Sequence, residues 1–246
     1  MFDAIATVEK IYLYPVKSMA GTLLDEAHVG LDGIFGDRQY AFVQAEKAEK
    51  NSFPWMTARE NARMLTYEPR FERVPTAVEP EPGLRVQTPG GRLVEVSDAA
   101  LRDEIAGASG RPIYLLKSAR GVFDSQHLSL FSLASVRRLA AEAECSIDHR
   151  QFRANLYFEP RSTRAFEEEQ WMDCLLQIGE RVLTSVAQRD PRCMMINLDP
   201  ETGKQNPQVL KTIAQRHGGD AGLYLTVIRP GVIRHGDAIR RIPMPE

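Results

Sequence analysis

Residues 175–203 read LLQIGERVLTSVAQRDPRCMMINLDPETG. Three short apolar runs follow one another there, at 175–178, 182–187 and 194–198. Gly179-Glu180 separates the first two, and Arg189-Asp190-Pro191 precedes the third. Runs this short, rich in branched side chains and bounded by turn residues, read as strands rather than helices. The same texture extends outward. Strands are expected at 8–16, 27–31, 38–43 and 152–158, with a hairpin at 84–87 and 92–96 around Thr88-Pro89-Gly90-Gly91. A last strand pair is expected at 223–228 and 232–233 around Pro230-Gly231. Helices are fewer. Ser97-Asp98 caps one over 99–106 that ends at Gly107. Residues 133–143 place Leu133, Val136, Leu139 and Ala140 on one face. A third runs over 207–217 to Gly218-Gly219. Many short strands with two or three helices predict a β-barrel-like core with helical decoration. The weakly patterned stretch 118–124 marks a domain boundary, giving domains 1–118 and 119–246. The first strand could also pair with the second domain.

Composition narrows the function. The chain has 246 residues, of which 43% are apolar and 26% charged, as expected of a globular protein. Its formal net charge of -2 supplies no global positive field. Nucleic acid and anionic membranes are therefore not expected partners, and a bound anion needs a local cluster of cations. The N-terminus, MFDAIATVEK, lacks the basic start and apolar run of a signal peptide. No apolar run approaches the ~20 residues needed to span a bilayer. Three cysteines, Cys145, Cys174 and Cys193, are too few and too scattered for a disulfide framework. A cytoplasmic, reducing setting is expected.

Several clusters carry chemistry. Cys193 closes Arg189-Asp190-Pro191-Arg192-Cys193, at a strand mouth beside arginines that favour a thiolate. The ordinary alternative is a small buried hydrophobe. Tyr14-Pro15-Val16-Lys17-Ser18 offers one cation and one hydroxyl at a strand end, or merely a surface lysine. Gly36-Asp37-Arg38 opens a buried-looking strand, so Arg38 must face a ligand or pair with Asp37. Met56-Thr57-Ala58-Arg59 is followed by Arg63, a spacing that also suits a helical surface pair. In Arg150-Gln151-Phe152-Arg153-Ala154-Asn155, a strand starting at Phe152 puts Arg153 and Asn155 on one face. The five histidines show no metal-ligand spacing, and Glu167-Glu168-Glu169 reads as a solvated acidic face. GxGxxG, P-loop, GxSxG and kinase signatures are absent.

Taken in order, YPVKS (14–18), GDR (36–38), MTAR (56–59), FRAN (152–155), PRC (191–193) and NLDPETG (197–203) form a more specific pattern. It resembles the MOSC family, in those members with an N-terminal MOSC-associated β-barrel domain, such as the mitochondrial amidoxime-reducing component and its bacterial relatives. The resemblance runs from about Tyr12 to about Gly236. It implies an α+β, β-rich fold: a β-barrel MOSC domain with flanking helices, plus a smaller N-terminal β-barrel-like domain. It also implies a molybdenum cofactor, the metal chelated by the dithiolene of a phosphate-bearing pyranopterin, with Cys193 as a further thiolate ligand and the catalytic position. Lys17, Ser18, Arg38, Thr57, Arg153, Asn155 and Arg192 are the implied cofactor-binding residues, Ala154 standing where the family has proline. The segment 123–128, FDSQHL, departs from the family's cofactor-facing loop at His127 and Leu128. The implied activity is two-electron removal of oxygen from N-hydroxylated or N-oxygenated small molecules. The alternative is a cofactor-binding or sulfur-carrying module without turnover of its own. No ferredoxin-like cysteine cluster is present. Electrons are therefore expected from a separate protein, a flavin reductase with a ferredoxin or cytochrome.

Overall fold

The computed structural model describes residues 2–50 and 53–242. From the N-terminus, β1 (Ala4–Leu13), β2 (Thr22–Leu24), β3 (Glu26–Gly30), β4 (Gly33–Ile34) and β5 (Tyr40–Gln44) lead to a short helix, α1 (Ala45–Glu49). Then come β6 (Glu68–Phe71), β7 (Leu84–Gln87), β8 (Leu93–Glu95), α2 (Ala99–Ser109) and β9 (Ile113–Lys117). The remainder runs β10 (Leu128–Ser132), α3 (Leu133–Glu142), β11 (Leu156–Pro160), β12 (Leu175–Ile178) and β13 (Val182–Pro191). It ends with α4 (Gln208–Arg216), β14 (Asp220–Arg229), β15 (Gly231–Arg234) and β16 (Ala238–Ile242).

Seven of these strands close into a barrel in the order β11, β10, β14, β13, β12, β16, β1, with β1 returning to β11. Closure leaves the ring without an open edge. Every neighbour is antiparallel except β10 and β11. A parallel pair needs a crossover, and α3 provides it. Within β1 the register shifts between Val8 and Lys10. That bulge lets Val8 and Ile11, three apart, both turn into the core. The interior is filled by such residues as Val8, Ile11, Leu130, Leu156, Phe158, Leu176, Val182, Leu225 and Ile239. Two further apolar clusters flank the barrel. One gathers Val16, Phe42, Met56, Val86, Leu101 and Ile105 beneath α2. The other packs Tyr14, Phe131, Leu139, Phe152, Ile196 and Ile213 beneath α3 and α4.

The β-rich barrel architecture matches the expectation, as do the hairpin of β7 and β8 and the helices α3 and α4. Several local expectations are corrected. Residues 194–198 do not form a strand. Pro191 ends β13, and Met194–Asn197 is a 3-10 turn, pinned where Gln151 Nε2 donates to the Ile196 carbonyl at 2.7 Å. The strand expected from 152 starts at Leu156. Before it lies the 3-10 turn His149–Phe152, opened by a reciprocal Asp148–Gln151 capping box. Helix α2 passes through Gly107 and stops at Gly110, whose φ of 67° takes the left-handed cap. Strands β14 and β15 do not pair with each other. β14 sits between β10 and β13, while β15 pairs with β3. Arg59 and Arg63 share no helix, because the Thr57–Glu60 turn breaks the chain before the 3-10 turn Ala62–Thr66.

Candidate functional site

A cavity of about 660 Å³ lies where the barrel mouth meets the segments around Lys17, Arg38 and Thr57. Lys17, Ser18, Arg38, Thr57, Arg153, Asn155, Arg192 and Cys193 all line it. Residues separated by more than a hundred positions are thus gathered on one surface. Barrel closure makes this possible, because β1 and β11 lie side by side and carry their following or preceding turns to the same end.

Lys17 follows β1 and is fixed by its own backbone, which donates to the Tyr40 carbonyl at 2.8 Å. Its ammonium is buried and donates to the Val122 carbonyl at 3.1 Å and to Asp124 Oδ1 at 2.7 Å. Burial lowers the Lys17 pKa, and Asp124 opposes that shift. Burial would raise the Asp124 carboxyl, yet Lys17, Arg59 and Arg38 hold it below the ordinary range. Asp124 therefore acts as a carboxylate belonging to the protein, seated where an external anion could sit.

Arg38 pairs with Asp37, and its Nη2 donates to the Arg153 carbonyl at 2.8 Å. Arg38 and Arg153 share the Tyr14 ring, 4.7 Å and 4.3 Å from its centroid. Arg153 Nη1 donates to the Met19 carbonyl at 2.7 Å. Its Nη2 is buried without any hydrogen-bond partner. Buried donors are nearly always satisfied, so this one marks a place for an acceptor. Burial, reinforced by the neighbouring Arg38 charge, lowers the Arg153 pKa to about 10.

Asn155 and Arg192 line the cavity; Asn155 spends its polar groups internally, and Arg192 does so except at Nη2, which pairs with Asp190 by charge but makes no hydrogen bond. Asn155 Oδ1 accepts from the Ser129 backbone and hydroxyl at 3.2 and 3.1 Å. Its Nδ2 donates to the Tyr12 carbonyl at 3.2 Å and to Asp37 at 3.1 Å. Because Arg153 has a left-handed backbone (φ 54°), it and Asn155 are not partners on one strand face as expected. Arg192 reaches the Ala221 and Phe152 carbonyls at 2.7 and 2.9 Å and pairs with Asp190 at 2.8 Å. Arg189 turns to Glu169 at 3.3 Å. The arginines around Cys193 are thus engaged elsewhere, in contrast to the expectation from adjacency. Cys193 itself is exposed at the entry of the 3-10 turn.

Sequence reading missed Asp190 and Tyr224 as cavity residues. Asp190 stood in the quoted RDPRC segment as a turn residue, and nothing local distinguished it. Burial pushes its carboxyl up to about 6, although Arg192 and the neighbouring Tyr224 draw it down.

The residues present suit an anionic group that brings a soft metal. The unpartnered Arg153 donor, the buried Lys17 ammonium and the half-buried Arg38 form one part of the cavity, and a thiol stands in another. Among the described residues, no group of three His, Cys, Asp or Glu could hold a metal alone. A metal at Cys193 would need further donors that it carries with it.

A family model described as MOSC domain matches residues 106–240, and one described as MOSC N-terminal beta barrel domain matches residues 5–111. No curated protein matches the chain. The crystal structure of the YuaD protein from Bacillus subtilis superposes over 100% of both chains, with a TM-score of 0.54 and 13% identity, a likeness of fold. YiiM from Geobacillus stearothermophilus is 17% identical over 47% of this chain and 54% of its own, with a TM-score of 0.37. YiiM from Escherichia coli is 18% identical over 49% and 56%, with a TM-score of 0.36.

Proposed function

Because this chain belongs to the MOSC family, whose domains are associated with the molybdenum cofactor, we propose that it binds that cofactor and removes oxygen from N-hydroxylated small molecules. The observation that supports this most directly is the shared cavity: the unpartnered Arg153 donor, with Lys17 and Arg38, opens onto the same space as Cys193. Lys17, Ser18, Arg38, Thr57 and Arg153 would hold the phosphate and pterin part. Charge-assisted hydrogen bonds of this kind are the strong ones. Cys193 would supply a thiolate to the metal. When bound, the cofactor supplies two-electron redox chemistry at a metal.

The protein's own work is positional. Asn155 ties Ser129, Tyr12 and Asp37 together, and Asp37 in turn orients Arg38. Arg192 fixes the PRC turn against β14 and the 3-10 turn before Arg153, which sets where Cys193 stands. The exposure of Cys193 leaves room for a small substrate to approach. Electrons would come from a separate protein, a flavin reductase with a ferredoxin or cytochrome.

Elemental analysis of freshly purified wild type and Cys193→Ala tests the site, and anaerobic reduction of benzamidoxime by reduced viologen tests the reaction. Stoichiometric molybdenum in the wild type, lost in Cys193→Ala, is expected. Full metal retention in the variant would overturn the ligand assignment. Loaded protein that reduces no N-hydroxy compound, but gains a persulfide on Cys193 from a desulfurase, would establish the sulfur-carrying alternative instead.

A further inference from the structure

Most charged side chains that line the cavity are matched with one another. Lys17 is joined to Asp124 at 2.7 Å, and Arg192 to Asp190 at 2.8 Å. Lys47 holds Glu60, and Arg38 holds the buried Asp37. Among the described residues, two lining cations have no carboxylate of their own. One is Arg153, whose buried free donor would serve the cofactor's phosphate. The other is Arg59, which is exposed and makes no hydrogen bond or ion pair with any described residue. Asp124 lies near enough to feel the Arg59 charge, but its contact is with Lys17.

The backbone fixes Arg59 at this rim. Residues 54–56 are sewn to β5: the Gln44 amide donates to the Pro54 carbonyl, and the Met56 amide to the Phe42 carbonyl, both at 2.8 Å. The chain then turns, with the Glu60 and Asn61 amides donating to the Thr57 carbonyl at 2.9 and 3.0 Å. Glu60 is tied back by Gln44 Nε2 at 2.8 Å and by Lys47. In this turn the Arg59 guanidinium lies 5.2 Å from the centroid of the Phe53 ring, and the Lys17 ammonium lies 5.9 Å from the same centroid. Phe53 lines the cavity and is 44% exposed. Its ring therefore keeps surface for a flat apolar group beside an unmatched cation.

We propose that Arg59 selects the substrate, binding a carboxylate carried by the N-hydroxylated compound while the compound's apolar part lies against Phe53. This rests on the N-hydroxy reduction proposed above and names a substrate class for it. The charge count favours a monoanion at this position. A phosphate dianion finds several cations together at Lys17, Arg38 and Arg153. A single guanidinium matches one planar carboxylate, which it grips through two parallel hydrogen bonds. Because Arg59 is exposed and unmatched, a substrate reaches it without displacing a group of the protein. Arg59 determines specificity and takes no part in breaking the N–O bond.

Two consequences separate this role from a structural one. The attraction acts near the surface, so salt screens it: the Debye length falls from about 10 Å at 0.1 M to about 3 Å at 1 M. The preference for a carboxylate-bearing substrate therefore shrinks as salt rises. Lysine in place of Arg59 keeps the charge but loses the two-pronged grip and the flat stacking on Phe53. Arg59→Lys therefore keeps part of the preference, and Arg59→Gln loses it.

The test compares benzamidoxime with para-carboxybenzamidoxime, which differ by one carboxylate, on molybdenum-loaded wild type, Arg59→Gln and Arg59→Lys with reduced viologen. Binding of benzoate and of benzamide to the same loaded proteins is measured by calorimetry, and molybdenum content is followed in parallel. Arg59→Gln should keep its molybdenum and raise KM for para-carboxybenzamidoxime about 10-fold, with kcat retained and a much smaller change on benzamidoxime. Benzoate binding should weaken to a similar extent and benzamide binding should not. An unchanged KM, an equal change on both substrates, or loss of molybdenum from Arg59→Gln overturns the assignment while leaving the proposed function standing. Loaded wild type that reduces neither compound, yet binds benzoate through Arg59, keeps the carboxylate site and removes the reduction. If it reduces neither and Arg59→Gln binds benzoate as wild type does, both fall.

Discussion

Ser18, Arg38 and Arg153 adopt positive φ values of 67°, 51° and 54°. Each carries a side chain that disfavours this backbone by roughly 1–2 kcal/mol. All three line the cavity, and strain of this kind concentrates where function requires it. Ser18→Gly should therefore raise the urea midpoint, by about 1 kcal/mol in stability, while lowering molybdenum occupancy. A destabilised variant would show that Ser18 is not strained. Asp124 supports a second expectation at this scale. It occupies the Lys17 ammonium, so an incoming phosphate has to displace it. In metal-free protein, Asp124→Asn should bind inorganic phosphate several-fold more tightly by calorimetry. Equal or weaker binding would show that Asp124 supports the nest instead of competing for it.

The segment Glu167–Trp171 shows how an element can reverse a composition argument. Its acidic run reads as a solvated face, yet Glu168 is wholly buried and accepts from the Ser135 hydroxyl of α3 at 2.8 Å. The Ser135 hydroxyl in turn accepts from the Phe166 backbone at 2.8 Å, docking the turn onto the helix start. Burial pushes the Glu168 carboxyl from 4.5 up to about 7. A folded-state pKa above the unfolded one means full stability below the unfolded value, lost as pH rises through the folded value. Glu168→Gln keeps the hydrogen bond without the charge. It should match wild type near pH 4 and exceed it near pH 8, by up to roughly 3 kcal/mol. Denaturation series at both pH values would check this; a variant weaker at both would show that the carboxylate is needed.

At the scale of the whole molecule, β1 is the closing piece. It pairs with β11 on one side and β16 on the other, and Ala6, Val8 and Ile11 enter the barrel core. The matched MOSC segment, 106–240, lacks it. A chain comprising residues 106–242 should leave one edge of β11 and one edge of β16 without a neighbour and unfold without cooperativity. Joining residues 2–13 to its C-terminus should restore a cooperative transition. Cooperative unfolding of 106–242 alone would show that the barrel tolerates the gap. Among the described residues, no helix is long and apolar enough to cross a membrane.

Local chemistry in the sequence was sufficient for β7, β8, α3 and α4, where turn residues, caps and apolar spacing act within a few positions. It was also sufficient to name Lys17, Arg38, Arg153 and Cys193, because their flanking motifs are contiguous. What it left open depends on contacts between distant segments. Met194–Asn197 has the apolar content of a strand but is turned by the Arg192 clamp and by Gln151. Arg153 and Asn155 have the spacing of a strand face, yet the Asp148 capping box winds the preceding residues and leaves Arg153 left-handed. Glu168 is buried by α3, and Asp190 by β14 and Arg192, so neither environment is written in its neighbours. Composition and motif determined which side chains were available. Barrel closure, by bringing β1, β11, β13 and β14 to one mouth, decided which of them meet and which spend their charge on each other.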